Sequence, residues 1–423
     1  MSLPLLRSGE DVSAFVIGDF SDLRLARIGA LFFKRVFERL TVCIKSLSGD
    51  RATEVAFHRF LENKNVEPAL ISTELSKKTN DACSGKVHVL CLQDTVQLTY
   101  PTQDIKKESF GSTGDADTKG LFVHPGIIVD ALNRDVLGMS GVITWSRDEL
   151  IGQLKKSRPI EEKESIRWID TALTAKQNIT NAEMITVVGD RESDIFEVFE
   201  RVPDEKTHLI VRASHDRVLE TEEKISEVLA RTMVAGTYAI ELSKITGKRK
   251  ARLATLAIKY TPIMLRNSVG DPVTIFCVHA MEVSAASKGE SPISWILLTT
   301  HSITSLKSAI QILVWYTWRW IIEQIFRTMK NKGLKIEDSQ IEAPKKLQIL
   351  SILCVAVAIK VMSLVESRDG KNHRAATDLF EKDELEVFSL LCKKLEGKTE
   401  KQKNLHTKNS MSWVAWIVEV LRD

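Results

Sequence analysis

Two short runs constrain this chain more than anything else in it: VHVLCLQDT over residues 87–95 and MITVVGD over 184–190. Each is almost continuously apolar and then ends in an acid. Without polar alternation neither face can be left to water, so each reads as a strand buried on both faces of a helix-covered sheet. Around them, HPGIIVDAL and DVLGMSGVITW read as strands meeting at an Asn133-Arg134-Asp135 turn, after a polar loop over 101–120. Helices are predicted over 162–177 and 193–201, and HLIVRA reads as a further strand. The order β-β-β-α-β-α-β predicts an α/β sheet domain.

The composition supports a folded chain with real cores. Of 423 residues 43% are hydrophobic, and 59 Lys+Arg stand against 56 Asp+Glu for a net charge of +3, which excludes global disorder. With so little net charge, any nucleic-acid role must come from local basic patches. No apolar run of about 18 residues free of charge occurs, so no membrane span is expected. The opening MSLPLLRSGEDV lacks a basic segment followed by a long apolar one, so no secretory signal is expected. The cysteines at 43, 83, 91, 277, 354 and 392 form no CxxC pair, which points to a reducing, cytoplasmic setting and away from structural zinc.

Three regions are expected. Residues 1–80 read as helical: Ser21 is placed to cap a helix from Asp22 to Leu40, with apolar Leu23, Leu31, Phe33 and Val36 among Arg24, Arg27, Lys34, Arg35 and Arg39. A second helix over 52–62 follows a Ser48-Gly49-Asp50 turn. Such a pair suits a small DNA-binding unit as well as an ordinary solvated surface. Residues 81–366 hold the sheet domain. Within it, TYAIEL, RLATLAIKY, VTIFCVHAMEV and SWILLTT make a β-rich insertion over about 219–300, followed by helices over 304–331 and 343–366. Residues 367–423 form a polar, basic tail ending in SWVAWIVEVL.

Three acids stand out by position: Asp94 and Asp190 at strand ends, and Glu323 inside a helix. Phosphoryl transfer on DNA uses two hard cations about 3.5–4 Å apart, and carboxylate oxygens brought from neighbouring elements can hold them. Glu323 lies in WYTWRWIIEQIFRTMK, where Tyr316, Arg319, Glu323 and Lys330 fall on one face of a continuous helix. Val314, Trp318, Ile321, Ile322, Ile325 and Met329 cover the other side. The polar stripe suits an ordinary salt-bridged surface or a metal ligand flanked by phosphate-binding groups.

The run Tyr316-x2-Arg319-x3-Glu323-x6-Lys330, with Asp94 and Asp190 before it, resembles the DDE motif of the insertion-sequence-four family of bacterial transposases. GDFSDLRLARIGAL, AFHRFLENKNV, LQDTVQLTY, VVGDRESDIFEV, LIVRASH and SWILLTTHSIT follow the family's order, so the resemblance spans roughly residues 17–365. It implies an RNase H-like catalytic core with a β-rich insertion, flanked by an N-terminal helical DNA-binding region and a C-terminal helical dimerisation tail. It implies a cut-and-paste transposase in which Asp94, Asp190 and Glu323 bind two Mg²⁺ ions, or Mn²⁺ in their place; a hydrolysis-only nuclease of the same fold and a non-catalytic, transposase-derived DNA-binding repressor are the alternative readings. Tyr316, Arg319 and Lys330 would hold the 5′ phosphate of the non-transferred strand, while Arg212 and Lys248-Arg249-Lys250 contact the transposon end. Trp295 would stack a flipped base, although from the residues alone it reads as a core strand tryptophan. The implied partners are double-stranded transposon ends, target DNA and a second copy of the chain. Two departures stand out: Leu121-Phe122 occupies a place where a relative has adjacent tryptophans, and the tail is short, with Lys393, Lys394, Lys398, Lys401, Lys403 and Lys408 within it.

Overall fold

The first apolar run forms β1 (His88–Gln93), with every residue after His88 buried, and the second forms β5 (Met184–Gly189). The computed structural model describes residues 16–18, 20, 22–101, 110–111, 113, 118–147, 158–242, 251–266, 271–284, 291–369, 374–380 and 382–421. Strand β3 (Thr118–Asp130) pairs antiparallel with β1 on one side and with β4 (Val136–Trp145) on the other. Strand β5 runs parallel to β1, and β6 (Thr207–Arg212) runs parallel to β5. The spatial order β4-β3-β1-β5-β6, three antiparallel strands followed by two parallel ones, is the RNase H-like arrangement.

The loop expected over 101–120 is interrupted at both ends. Strand β2 (Val96–Pro101) folds back on the first half of β3 in the register Val96↔Val123 to Pro101↔Thr118. Here Val96, Leu98 and Tyr100 are buried while Gln97 and Thr99 are half-buried. This period-two pattern makes a half-buried strand that a search for continuous apolar runs does not see. The β-rich insertion supplies β7 (Gly236–Leu242), β8 (Arg252–Leu265), β9 (Val273–Glu282) and β10 (Ser294–Thr299). They extend the same sheet, because β10 pairs antiparallel with β6.

Helix α1 (Leu23–Arg39) is capped by Asp22, whose carboxylate accepts from the Arg24 amide, and not by the expected Ser21, which lies outside the described residues. Leu23 is exposed and Lys34 buried, the reverse of the expected faces. Helices α2 (Ile44–Ser48), α3 (Arg51–Glu62) and α4 (Pro68–Ala82) follow, with α3 capped by Asp50 onto the Thr53 amide. The helix expected from 162 begins at Arg167 as α5 (Arg167–Asn178), because Lys163 is extended and separates two short 3-10 turns before it. The helix expected from 193 begins at Phe196 as α6 (Phe196–Arg201). Upstream, the side chains of Asp190 and Ser193 bond to nearby backbone and tighten the chain into a 3-10 turn. Helix α7 (Ile225–Arg231) lies in the insertion.

The predicted helix over 304–331 is two helices, α8 (Leu306–Thr317) and α9 (Trp320–Lys330). Between them the Arg319 amide bonds to Tyr316 O, that of Ile321 to Trp318 O, and that of Ile322 to Arg319 O. One tight i→i+3 turn thus joins the two. Helix α10 (Pro344–Glu366) matches its expectation. By length and composition alone it is apolar enough to cross a membrane, although Lys360 keeps its uncharged stretch shorter than about 18 residues. Most of it is buried inside the protein, packed in one hydrophobic cluster with Phe32, Phe57, Leu90 and Ile322. In the tail, α11 (Lys382–Leu395) was not expected, and α12 (Met411–Val420) packs back on its own chain. Met411, Trp413, Val414 and Ile417 are buried with Leu379, Phe380 and Leu385.

Candidate active site

The sheet register brings the strand-end acids together. Leu92 is level with Val188 in the parallel β1–β5 pair, and two residues further along each chain lie Asp94 and Asp190. Adjacent strands lie about 4.8 Å apart, so the two carboxylates leave the sheet at one end as neighbours. Gly189 before Asp190 is needed for close approach, since a Cβ there would meet Ser193 Oγ at 2.2 Å. Ser193 Oγ in turn donates to Asp190 O at 2.7 Å. On β6, Val211 is level with Gly189, which puts Arg212 beside Asp190 at the next strand end. Strand β10 runs the other way, so its start brings Trp295 to the same end of the sheet.

Glu323 reaches this end from α9. Arg319 Nη1 donates to Asp94 Oδ2 at 2.6 Å and Arg319 Nη2 donates to Glu323 Oε1 at 2.7 Å. One guanidinium therefore spans the strand acid and the helix acid. Asp94 Oδ1 accepts from the Thr95 amide and Asp190 Oδ1 from the Glu192 amide, each at 2.8 Å. Burial raises the Asp94 carboxyl from 3.8 to about 6 against the pull of Arg319, and the charges of Asp190 and Glu323 add to the rise.

The donor set suits a hard divalent cation: three carboxylates from two strand ends and a helix, two of them already sharing a cationic group. Among the described residues no three His, Cys, Asp or Glu are gathered closely enough to hold an ion as they stand. The position between Asp94 and Glu323 is taken by Arg319, so an ion there requires the guanidinium to move. Asp94, Asp190 and Glu323 fit such a cation in kind, as oxygen donors.

The other predicted residues divide. Tyr316 is buried, contrary to the open stripe expected, and stacks edge-on against Trp295 with centroids 5.9 Å apart. The tight turn after Thr317 breaks the continuous helical wheel and turns Tyr316 inward. Lys330 is half-buried, donating to Gln97 O at 3.0 Å and pairing with Glu337 at 2.9 Å. Lys248, Arg249 and Lys250 lie outside the described residues. Phe122, where a relative has tryptophan, is buried in a stack with Trp145 at 5.2 Å. The six tail lysines are all exposed.

Trp320 belongs to neither the polar stripe nor the apolar side that the sequence predicts for this segment. It is 48% exposed, three residues before Glu323 and therefore on its side of α9, with Arg327 one turn further. Aromatic residues this exposed beside an acid are unusual for a core helix. The signal was present in the repeated WxxWRW pattern, which supplies more indoles than one buried face can take.

A cryo-EM structure of a piggyBac transposase synaptic complex with hairpin DNA is similar at 9% identity and a TM-score of 0.38, over 82% of this chain and 66% of that one. This chain therefore spans just under two thirds of that protein's length. Residues 165–359, just under half of the chain and including Asp190 and Glu323, match the family described as Transposase DDE domain, and this match supports reading the chain as a DDE-type transposase.

Proposed function

We propose that this chain is a DNA transposase of the insertion-sequence-four type, cutting and rejoining DNA at the Asp94–Asp190–Glu323 site. The observation that carries the reading is the β1–β5 register, which sets Asp94 and Asp190 side by side with Glu323 joined through Arg319. Bound divalent cations, Mg²⁺ in the first instance and two per site, would supply charge stabilisation to the attacking and leaving oxygens. The three carboxylates hold that charge. Arg319 turns from them to a phosphate of the non-transferred strand, a planar fork well matched to phosphate oxygens. Lys330 assists after releasing Glu337, and Tyr316 supports the Trp295 ring, which stacks on an unpaired base. Arg212 meets the end DNA beside Asp190, with Lys248, Arg249 and Lys250 extending that contact.

Nicking, attack of the new 3′ hydroxyl on the opposite strand to form a hairpin, hairpin opening and strand transfer are all displacements at phosphorus, so one site serves every step. Residues 1–80 form the end-binding helical unit, with Arg24, Arg27 and Arg59 exposed on it. Residues 81–366 form the catalytic unit. Residues 367–423 serve assembly of a homodimer holding two ends.

The test is a nicking assay on a duplex carrying the element's terminal inverted repeat. Asp94→Ala, Asp190→Ala and Glu323→Ala should each lower Mg²⁺-dependent nicking by about a thousandfold or more. All three should still shift the duplex in a gel with Ca²⁺. Nicking retained by any of the three would sink the assignment.

A further inference from the structure

Arg167 opens α5, and its side chain is only 11% exposed. A buried guanidinium is costly unless its donors are used, and here they are. Nε donates to Thr95 Oγ1 at 3.0 Å, Nη2 to Glu192 Oε2 at 2.6 Å and Nη1 to Glu164 O at 2.9 Å. The guanidinium carbon lies 5.4 Å from the ring centroids of both Trp145 and Trp168, within cation–π range of each.

What this cation joins is informative. Thr95 follows Asp94, and its amide holds Asp94 Oδ1; Glu192 lies two residues past Asp190, and its amide holds Asp190 Oδ1. One guanidinium thus grips the two residues whose N–H groups orient the two strand-end carboxylates. Behind it, Thr95 Oγ1 lies 2.9 Å from Nδ1 of the fully buried His124. Accepting from Arg167 leaves the Thr95 hydroxyl proton free to go to His124. The other His124 ring nitrogen is buried without a partner, so the ring is kept there at a cost for the bond it makes to Thr95.

We propose that Arg167 is a positioning residue: it locks the loops after β1 and β5 so that Asp94 and Asp190 keep the spacing a two-cation site needs, with Thr95 and His124 as its backing. The proposal rests on the carboxylate site described above. Arg167 touches neither the DNA nor the cations; it acts through Thr95 and Glu192. A lysine in its place keeps the charge but cannot make the same forked contacts. Loosened carboxylates should harm Mg²⁺, which demands near-ideal octahedral geometry, more than a more permissive ion.

The experiment compares the full-length chain with Arg167→Lys, each with an end duplex, by Mn²⁺ binding in electron paramagnetic resonance and by nicking in Mg²⁺ and in Mn²⁺. Arg167→Lys should bind the duplex normally and melt within a few degrees of the wild type. It should bind Mn²⁺ about tenfold more weakly, and lose about a hundredfold of Mg²⁺-supported nicking but less than tenfold of Mn²⁺-supported nicking. Equal losses in the two metals with unchanged Mn²⁺ affinity would overturn the proposal and leave a merely structural ion pair. Should Arg167→Lys fail to fold, Thr95→Val removes the same acceptor and should show the same metal split. Asp94→Asn separates the two readings: if it leaves Mn²⁺ binding intact, the carboxylate site itself is wrong, whereas loss there with no split in Arg167→Lys removes only the clamp.

Discussion

Asp94 is held in a protonation balance that the free chain would not choose. Burial and two neighbouring carboxylates raise it from 3.8 to about 6 even with Arg319 at 2.6 Å. A raised acid binds its proton more tightly in the folded state, so its contribution to stability is complete below pH 4 and is lost as pH rises through 6. Asp94→Asn, which cannot ionise, should therefore gain on the wild type by about 2.5 kcal/mol between pH 4 and pH 7.5. Unfolding in urea at the two pH values checks this, and a constant gap would mean that Asp94 titrates as an ordinary carboxyl. Such a cost at neutral pH is what a site kept for binding charge would show. At this scale the three acids were legible, because each interrupts an apolar pattern at a strand end or on a helix. The inward turn of Tyr316 and the exposure of Trp320 were not, since both follow from a tight turn that helical spacing cannot reveal.

Among the elements, the opposite end of the same strands carries a second constraint. His88 opens β1 and His301 follows β10, and both bring Nε2 to 2.7 Å from Thr186 Oγ1 on β5. His208 on β6 stacks on His301 at 4.1 Å. Burial lowers His88 to about 4 and His301 to about 3, each repelled further by His208, while Asp130 draws His88 slightly back. Burial lowers His208 too, with Asp204 opposing. A lowered histidine is neutral in the fold, so its stability contribution is complete above 6.5 and is lost as pH falls below that value. His88 alone should cost about 2 kcal/mol between pH 7 and pH 5. Thermal melts should show the midpoint falling over that range, with a shallower fall in His301→Gln. A flat profile in the wild type would mean that these imidazoles protonate freely in the fold. Strands β1, β5, β6 and β7–β10 were legible as apolar or alternating runs. The break between α8 and α9 was not, because every residue across it keeps helical angles and only the hydrogen-bond partner changes from i−4 to i−3.

At the scale of the whole molecule, α10 is the spine on which the rest is organised. Its apolar residues face the sheet on one side and α1, α3 and α4 on the other, and Ser363 Oγ donates to Val136 O at 2.9 Å. That burial on all sides explains why the helix reads like a membrane segment in composition alone. The same spine receives α12, whose apolar spacing predicts either a two-fold interface with a second copy or packing back on its own domain. Within the chain it packs on its own domain, against α10 and α11, leaving Val418 and Leu421 outside the cluster. Sequence periodicity revealed that α12 had a face to bury but not which surface would cover it, because α11, half of that surface, carries too mixed a pattern to be anticipated. The sheet register and the broken α8–α9 helix bring Asp94, Asp190 and Glu323 to one end of the sheet, with Arg319 between Asp94 and Glu323. The most direct measurement is anomalous diffraction from crystals of the chain soaked in Mn²⁺ with a duplex of the terminal inverted repeat. Peaks about 2.2 Å from oxygens of Asp94, Asp190 and Glu323, with Arg319 swung from the carboxylates to a phosphate, are the predicted result. Manganese density elsewhere, with Arg319 still joining Asp94 to Glu323, would contradict it.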